Sequence, residues 1–169
     1  MNPDSSASTA AKATASVKER APLPARILLV DDDPVNQSVA RSLLRRRGFE
    51  AELAANGKEA LEKLAGRRFD LILMDLQMPE MDGFQTATII RQNELRKRHT
   101  SPAPSPDRGV DPSSAAPDTR IPIVALTTAS APGTREKCLA AGMDDYLTKP
   151  IVPVDLIAMV EKYLGQHEE

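Results

Sequence analysis

The sequence predicts a doubly wound α/β domain with a five-stranded parallel sheet and five helices. Short apolar segments rich in leucine, isoleucine and valine alternate along the chain with amphipathic segments. The apolar segments are nearly continuous runs, which is typical of parallel strands that are buried on both faces. Two biased segments interrupt this alternation, and removing them leaves about 120 residues, the size of one domain.

The two biased segments explain most of the proline excess, since the 169 residues include 14 prolines and only 8 glycines. Residues 1–25 are rich in alanine, serine and threonine, and they predict a disordered tail or linker. Residues 98–120 contain five prolines and predict a flexible insertion within a domain that spans residues 26–164. Residues 165–169 are expected to form a short C-terminal tail.

The first strand and helix have the clearest signals. Residues 26–30 (RILLV) form a short apolar run, and Asp33 and Pro34 then supply an N-cap and a first-turn proline. The helix is predicted to end at Gly48. We expect it to place four apolar side chains on one face, namely Val35, Val39, Leu43 and Leu44.

The same strand and helix unit recurs four times. The further strands are predicted at residues 49–55, 69–74, 121–126 and 145–148. The further helices are predicted at residues 58–66, 84–97, 134–142 and 154–164. Parallel strands need crossover connections, so we expect helices on both faces of the sheet. In such sheets the functional site lies in the loops at the carboxyl ends of the strands.

Chemically capable side chains follow four of the five predicted strands. They are Asp31, Asp32 and Asp33 after the first strand, Asp75 after the third, Thr127 and Thr128 after the fourth, and Lys149 after the fifth. Clustered carboxylates repel one another unless a cation is present, and oxygen ligands favour a hard ion such as Mg²⁺. A lysine and a hydroxyl beside a metal-bound carboxylate suit a phosphoryl group, whose charge must be neutralised from several sides. Asp75 is the best candidate nucleophile because it ends the central strand.

Four segments at these strand ends resemble the receiver domains of two-component response regulators and hybrid histidine kinases. They are ILLVDDDPVNQ (27–37), DLILMDLQMPEMDGF (70–84), IPIVALT (121–127) and CLAAGMDDYLTKPI (138–151). Their joint occurrence in this order is highly specific, and the segments are most similar to receivers of hybrid sensor kinases. The resemblance covers residues 26–164 and implies a flavodoxin-like, CheY-like fold.

The resemblance implies a phosphorelay function with Asp75 as the phosphoacceptor. The donor would be a phosphohistidine on a histidine kinase or a histidine phosphotransfer protein, and the phosphorylated domain would contact a downstream protein target. Asp32, Asp75 and the Gln77 carbonyl would bind Mg²⁺ directly, and Asp31 would act through water. The product is the protein's own phosphorylated state, so we do not expect a conventional enzyme.

The resemblance also assigns roles to the last two strands. Lys149 would pair with the phosphoryl oxygens, and the Lys149–Pro150 peptide would be cis. Thr127 would swing toward the phosphoryl group and Tyr146 would follow it inward, so that the surface of the fourth and fifth strands changes.

Two positions depart from the pattern of hybrid receivers. Asp33 stands where asparagine is frequent, and it would either tighten metal binding or cap the helix. Thr128 stands where alanine is frequent, and it would narrow access to the phosphoryl group. Together with Gln77 and Ala129, Thr128 is expected to influence how long the phosphorylated state survives.

Composition limits the partners and the compartment. The net charge of −2 and the pI near 5.8 give no drive toward nucleic acid or an anionic membrane. A single cysteine, Cys138, excludes an internal disulfide and fits a reducing compartment, so we expect a cytoplasmic protein. One basic cluster is expected opposite the site, as a solvated face or, alternatively, a partner or RNA patch. It consists of Arg41, Arg45, Arg46, Arg47, Arg91, Arg96, Lys97 and Arg98.

Three alternative functions differ from a stand-alone regulator. The chain could be the terminal receiver of a hybrid histidine kinase, which the segments favour, whereas an initiating Met1 favours a separate regulator. An aspartyl-phosphate phosphatase would need a second carboxylate two residues after Asp75, where Gln77 stands. A flavin carrier would need aromatic residues, but the chain has no tryptophan and only two tyrosines.

Overall fold

The computed structural model describes residues 24–100, 120–128 and 131–165. The strands are β1 (Arg26–Val30), β2 (Glu50–Ala54), β3 (Leu71–Asp75), β4 (Ile123–Thr127) and β5 (Asp145–Thr148). The helices are α1 (Pro34–Arg46), α2 (Gly57–Gly66), α3 (Gly83–Thr100), α4 (Thr134–Ala140) and α5 (Pro153–Leu164). The predicted tail before residue 24, most of the predicted insertion, Ala129 and residues 166–169 lie outside the described residues.

The five strands form one parallel sheet in the order β2-β1-β3-β4-β5. The side chains of β3 and β4 are buried along the whole length of both strands, whereas β2 lies at an edge and is only partly covered. The order reverses direction between β1 and β3, which opens a crevice at the carboxyl ends of these two strands. The predicted fold class is confirmed.

Helices cover both faces of the sheet and bury two apolar layers. On one face, Ala40 and Leu44 of α1 and Leu156 and Val160 of α5 pack against Ile27, Leu29, Leu71 and Leu73. On the other face, Ala60 of α2, Ala87 and Ile90 of α3 and Cys138 of α4 pack against Leu28, Val30, Ile72 and Met74. Within the described residues, no helix is both long enough and apolar enough to span a membrane.

The buried face of α1 differs from the predicted one. Val35 and Val39 are 66% and 49% exposed, and the buried residues of the helix are Ala40 and Leu44. The inward stripe follows the spacing of Ala40, Leu43 and Leu44, and both valines lie outside it. The prediction was wrong because it weighted large apolar residues and overlooked a small alanine at the centre of the interface.

Several boundaries differ from the predicted ones by one to three residues. The α3 helix continues to Thr100, so the first three residues of the predicted insertion are helical. The β3 strand extends to Asp75, which places this carboxylate within the strand and not after it. The ladder between β3 and β4 explains the extension, because Asp75 lies opposite Leu126.

Arg91 does not belong to an exposed basic cluster, contrary to the prediction. Its guanidinium donates to the carbonyl oxygens of Gly142 at 2.7 Å and Ile121 at 2.8 Å. It also forms ion pairs with Glu94 at 2.8 Å and Asp144 at 3.0 Å, and its side chain is only 14% exposed. These four partners and Arg91 form an arginine cluster that joins α3, the chain before β4 and the turn between α4 and β5.

Candidate functional site

Three carboxylates meet at the crevice at the carboxyl ends of β1 and β3. Asp31 and Asp32 directly follow β1, and Asp75 is the last residue of β3. Asp31 and Asp75 are 1% and 4% exposed, whereas Asp32 is exposed. One oxygen from each of the three lies within 4.8 Å of the others. The sheet therefore brings together the acidic residues that the sequence singled out.

Lys149 lies between the two buried carboxylates. Its Nζ atom is 2.7 Å from Oδ2 of Asp31 and 3.2 Å from Oδ2 of Asp75. Its backbone N–H donates to the carbonyl oxygen of Thr127 at 2.7 Å, which fixes the start of the loop after β5. The Lys149–Pro150 peptide is cis, as expected. Lys149 directly follows β5, and its side chain reaches past the end of β4 to bridge the ends of β1 and β3.

Burial and charge compete at this site. Burial raises the pKa of the Asp75 carboxyl above its ordinary value, although the Gln77 N–H and the Lys149 ammonium act in the opposite direction. Burial alone would lower the pKa of Lys149, but its hydrogen bond to Asp31 and the charge of Asp75 raise it above its ordinary value. Lys149 is therefore a fixed cation at neutral pH, and Asp75 is a carboxylate in a poorly hydrated setting.

The loop after β1 positions the acidic residues by local hydrogen bonds. Oδ1 of Asp31 accepts from the backbone N–H of Asp33 at 2.9 Å, and Oδ1 of Asp33 accepts from Val35 N–H at 2.8 Å. Asp33 is thus the N-cap of α1, and the structure shows the capping alternative for this residue. Asp33 is not one of the three clustered carboxylates.

Sequence reasoning missed Gln37, which supports this loop from the first turn of α1. Its Nε2 atom donates to the carbonyl oxygen of Asp31 at 2.6 Å and to that of Ala54 at 3.0 Å. One side chain therefore ties the ends of β1 and β2 together. The only available signal was its position, six residues after Asp31 at the end of the segment ILLVDDDPVNQ.

The loop from β3 to α3 packs closely against Asp75. Oδ1 of Asp75 accepts from Gln77 N–H at 3.1 Å, and the Gly83 N–H donates to the Leu76 carbonyl at 3.2 Å. A Cβ atom on Gly83 would collide with the carbonyl oxygen of Asp75 and would lie 3.0 Å from Cα of Leu76. The segment DLILMDLQMPEMDGF (70–84) contains this glycine, but sequence reasoning did not identify its role.

The predicted switch residues lie on β4 and β5, the two strands that follow β3 in the sheet. Thr127 ends β4 and is 2% exposed, and Thr128 is exposed with its hydroxyl donating to Oε1 of Gln77 at 3.4 Å. Tyr146 lies on β5 opposite Ala125 and packs half-buried against the apolar layer under α2, α3 and α4. Thr127 and Tyr146 therefore lie on the adjacent strands β4 and β5, and their movement stays a prediction.

The residues present are suitable for a hard divalent cation. Asp31, Asp32 and Asp75 offer carboxylate oxygens in one cluster. The main-chain carbonyl of Gln77, two residues after Asp75, stays a predicted further ligand. Oxygen ligands without sulfur or imidazole favour Mg²⁺ over softer transition metals. Among the described residues no other cluster of three or more potential metal ligands is found.

Comparisons with known proteins agree with this geometry. A family model described as "Response regulator receiver domain" matches residues 27–101. The receiver domain of a sensor histidine kinase from Pseudomonas aeruginosa PAO1 is 34% identical, and the match covers 84% of this chain and 98% of that one, with a TM-score of 0.64. This chain belongs to the response regulator receiver family. The resemblance found in the sequence is therefore confirmed. The Pseudomonas receiver domain has a magnesium ion coordinated in its active-site cleft.

Two further relatives show where receiver domains of this kind occur. The hybrid signal transduction histidine kinase B of Dictyostelium discoideum is 42% identical over 141 residues, which cover 83% of this chain. The chain spans only 7% of that kinase, and likewise a small part of other histidine kinases that it matches. The receiver domain of Ssk1 from Saccharomyces cerevisiae, solved with the phosphotransfer protein Ypd1, is 29% identical with a TM-score of 0.69 and covers 86% of this chain and 92% of its own.

Proposed function

We propose that this receiver domain accepts a phosphoryl group on Asp75 from a phosphohistidine, with Mg²⁺ as cofactor. The donor is a histidine kinase or a histidine phosphotransfer protein, and the phosphorylated domain changes its contacts with a downstream protein. The observation that carries the proposal is the buried Asp75 carboxylate, held 3.2 Å from the Lys149 ammonium and clustered with Asp31 and Asp32. Glu94 is also a buried carboxylate beside a cation, Arg91, but it lies outside the cluster of three carboxylates at the strand ends.

The transfer forms a bond between an Asp75 oxygen and phosphorus and breaks the bond between phosphorus and the histidine nitrogen, which keeps the electron pair. The charge on the phosphoryl oxygens must be balanced on several sides. Lys149 balances one side by exchanging its contact with Asp75 for a phosphoryl oxygen. Asp32, Asp75 and the Gln77 carbonyl would hold Mg²⁺ directly and Asp31 would hold it through water, and the ion would supply further charge neutralisation.

The switch begins at Thr127 and ends at Tyr146. Thr127 follows Leu126, which pairs directly with Asp75 across the β3–β4 ladder. Tyr146 lies on the next strand, where Ala125 pairs with it. When the Thr127 hydroxyl moves to a phosphoryl oxygen, it leaves space beside β5 into which the half-buried Tyr146 ring can turn. The surface of β4 and β5 therefore differs between the two states.

An exposed apolar patch at the same end of the molecule is the docking surface for the phosphohistidine donor. Val35 and Val39 of α1 and Val152 and Val154 at the start of α5 are 49–74% exposed. Both helices begin at the carboxyl edge of the sheet and pack side by side on one face. The crystal structure of the Ssk1 receiver domain with Ypd1 shows that a relative binds a phosphotransfer protein.

The alternative setting is the receiver segment of a hybrid histidine kinase. The 42% identity to the Dictyostelium hybrid kinase favours it, and the chemistry at Asp75 is the same in both settings. Mapping the transcript upstream of the codon for Met1 separates them, because a continuous reading frame into a kinase domain is expected only for the segment. We infer a cytoplasmic location. The single thiol, Cys138, is free and buried and forms no disulfide that would need an oxidising compartment.

The deciding experiment is incubation with acetyl phosphate and Mg²⁺, followed by intact mass measurement. We expect the wild-type chain to gain the mass of one phosphoryl group, and the gain to disappear with a chelator or in Asp75→Asn. Asp70→Asn is the matched control, because Asp70 is an exposed carboxylate that accepts a hydrogen bond from the Arg26 N–H outside the site. An adduct that persists in Asp75→Asn, or none on the wild type, would contradict the proposal.

A further inference from the structure

A basic groove runs along the open edge of the sheet, between α1 and β2. Its wider part is a cleft of about 600 Å³ at the amino ends of β1 and β2, away from the acidic site. Its charged lining residues are Arg26, Arg41, Arg45, Arg67, Glu50 and Glu52. A second cleft of about 400 Å³ continues along α1 and shares Arg41, Arg45 and Leu53 with the first.

The floor of the basic groove is an unpaired strand edge. The Glu50 N–H donates to Ala25 and the Asp31 N–H donates to Ala54, so residues 50, 52 and 54 direct their peptide groups toward β1. Peptide groups alternate in direction along a strand, which leaves those of Ala51 and Leu53 directed to the open edge. A partner strand could pair with these groups, as commonly occurs at free sheet edges.

The cations of the basic groove are largely uncompensated. Within the described residues, the guanidinium groups of Arg26, Arg41 and Arg45 form no hydrogen bond or ion pair. Only Arg67 is paired, at 3.1 Å from Glu52, which Lys63 also contacts at 3.2 Å. Glu50 is exposed and is the other carboxylate of the lining. The whole chain carries a net charge of −2, so the positive charge of the basic groove is opposite in sign to the net charge of the chain.

We propose that the basic groove binds an extended acidic segment of a partner protein by strand addition to β2. A five-residue strand is about 17 Å long, and the groove offers backbone pairing along that length. Alternate side chains of the added strand would face α1, where Arg41 and Arg45 are one helical turn apart and suit carboxylates. This assigns a protein ligand to the basic groove and goes beyond the phosphoryl chemistry at Asp75.

Charge and sequence favour a separate partner over other occupants. A second copy would place two net positive grooves against each other, which is unfavourable. Residues 1–23 carry three cations against two acids, and residues 101–119 contain five prolines, which lack the N–H that pairing requires. A partner segment rich in glutamate or aspartate satisfies both the backbone and the arginines.

The test measures binding of a fluorescent six-residue peptide of alternating glutamate and threonine to the full chain, without Mg²⁺ or phosphodonor. We expect chemical shift changes at the Ala51 and Leu53 amides in ¹⁵N spectra. We expect binding to weaken by at least about tenfold in Arg41→Ala/Arg45→Ala, because two charge-assisted contacts are lost. Arg96→Ala/Lys97→Ala is the matched control, since it removes two exposed cations from the end of α3 and leaves the affinity unchanged.

Three comparisons make the outcome decisive. A peptide N-methylated at every residue should bind at least about tenfold more weakly, because neither of its edges can donate to the strand edge of β2. A lysine and threonine peptide should not bind. The proposal is overturned if the N-methylated peptide binds equally well, if both double variants lose affinity alike, or if single-stranded RNA of equal length binds more tightly and depends on Arg41 and Arg45. Circular dichroism checks that each variant is folded.

Discussion

Lys149 is the residue whose placement best explains the site, because one ammonium is shared by two buried carboxylates. Asp31 is closer to it than Asp75, at 2.7 Å against 3.2 Å. The lysine therefore neutralises Asp31 more fully, and burial can keep the pKa of Asp75 raised despite the nearby cation. Because its contact with Lys149 is the longer one, Asp75 loses less than Asp31 when an electrophile binds to its carboxylate.

Replacing Lys149 is expected to slow phosphorylation strongly, while the domain still folds. In Lys149→Met the phosphoryl oxygens lose a fixed cation, and we expect the rate with acetyl phosphate and Mg²⁺ to fall about 100-fold. Time-resolved intact mass measurement gives the rate. Lys162→Met is the control. Lys162 is exposed on α5 and pairs with Asp145 on β5, away from the site. Equal rates in Lys149→Met and the wild type would exclude Lys149 from the reaction.

Gly83 is expected to tolerate no side chain. In Gly83→Ala the new methyl group meets the backbone of Asp75 and Leu76, and overpacking of this kind costs about 1–3 kcal/mol in the free energy of unfolding. Urea denaturation followed by circular dichroism measures this loss. Gly66→Ala is the matched control, because nothing lies within 4 Å of a Cβ atom at Gly66. A similar small effect of both substitutions would show that the loop after β3 yields easily.

At the residue scale, the sequence indicated which charged side chains would lie together, because the residue types themselves carry the charge. Asp31, Asp32, Asp75 and Lys149 stood out because charged residues directly after buried strands are costly unless they act together. Gln37 and Gly83 were missed, since their roles depend on close contacts of the main chain with Asp31, Ala54 and Asp75. A sequence shows such contacts only indirectly.

At the scale of elements, the arginine cluster connects α3 to the β4–β5 side of the domain by polar contacts, in addition to the apolar layer. Arg91 contacts Glu94 on its own helix and Asp144, which lies 53 positions later. The carboxylates are themselves anchored, because Glu94 accepts from Ile121 N–H at 2.8 Å and Asp144 from Ile123 N–H at 2.9 Å. The sequence pattern of α3 could not predict the arginine cluster, because the polar residues of this helix are typical of a solvent-exposed face.

Removing the arginine from this cluster is expected to destabilise the domain strongly. Arg91→Met leaves Glu94 and Asp144 with part of their charge uncompensated in a mostly buried place, and such losses cost about 3–5 kcal/mol. Chemical denaturation monitored by circular dichroism measures the change. Arg96→Met, on the exposed side of the same helix, should change stability by less than about 0.5 kcal/mol. Equal effects would mean that the cluster contributes no net stability.

At the scale of the whole molecule, the exposed valines at the starts of α1 and α5 allow the proposed donor docking to be tested separately from the chemistry. Val39→Asp places a charge in the docking patch without touching the carboxylates, and Val39 is 49% exposed. We expect transfer from a phosphorylated histidine phosphotransfer protein to slow about tenfold, while acetyl phosphate reacts at the wild-type rate.

The control for this prediction is Leu95→Asp. Leu95 is 55% exposed on α3 and lies outside the patch, so the variant should match the wild type with both donors. Slower reaction of Val39→Asp with acetyl phosphate would indicate damage to the site. Unchanged transfer from the protein donor would place docking elsewhere on the molecule.

The overall architecture was the most predictable level, because alternation of apolar runs and helices leaves few topologies for a parallel sheet. The end of the sheet that carries the site followed from the same rule. The basic groove could not be predicted in this form. Arg41 and Arg45 are far from Arg67 in sequence, and only the edge position of β2 brings them to one surface.

The arginine cluster also has a consequence for how the domain tolerates change in chain length. The described structure stops at Thr100, the end of α3, and resumes at Arg120, just before Ile121, which the cluster fixes through both its N–H and its carbonyl oxygen. Because the cluster holds Ile121 through contacts of the described residues, a change in the length of the stretch 101–119 is expected to leave the start of β4 in place. Each doubling of a flexible loop costs only about 0.6 kcal/mol. We therefore expect a reporter or tag grafted into this stretch to leave the acidic site undisturbed.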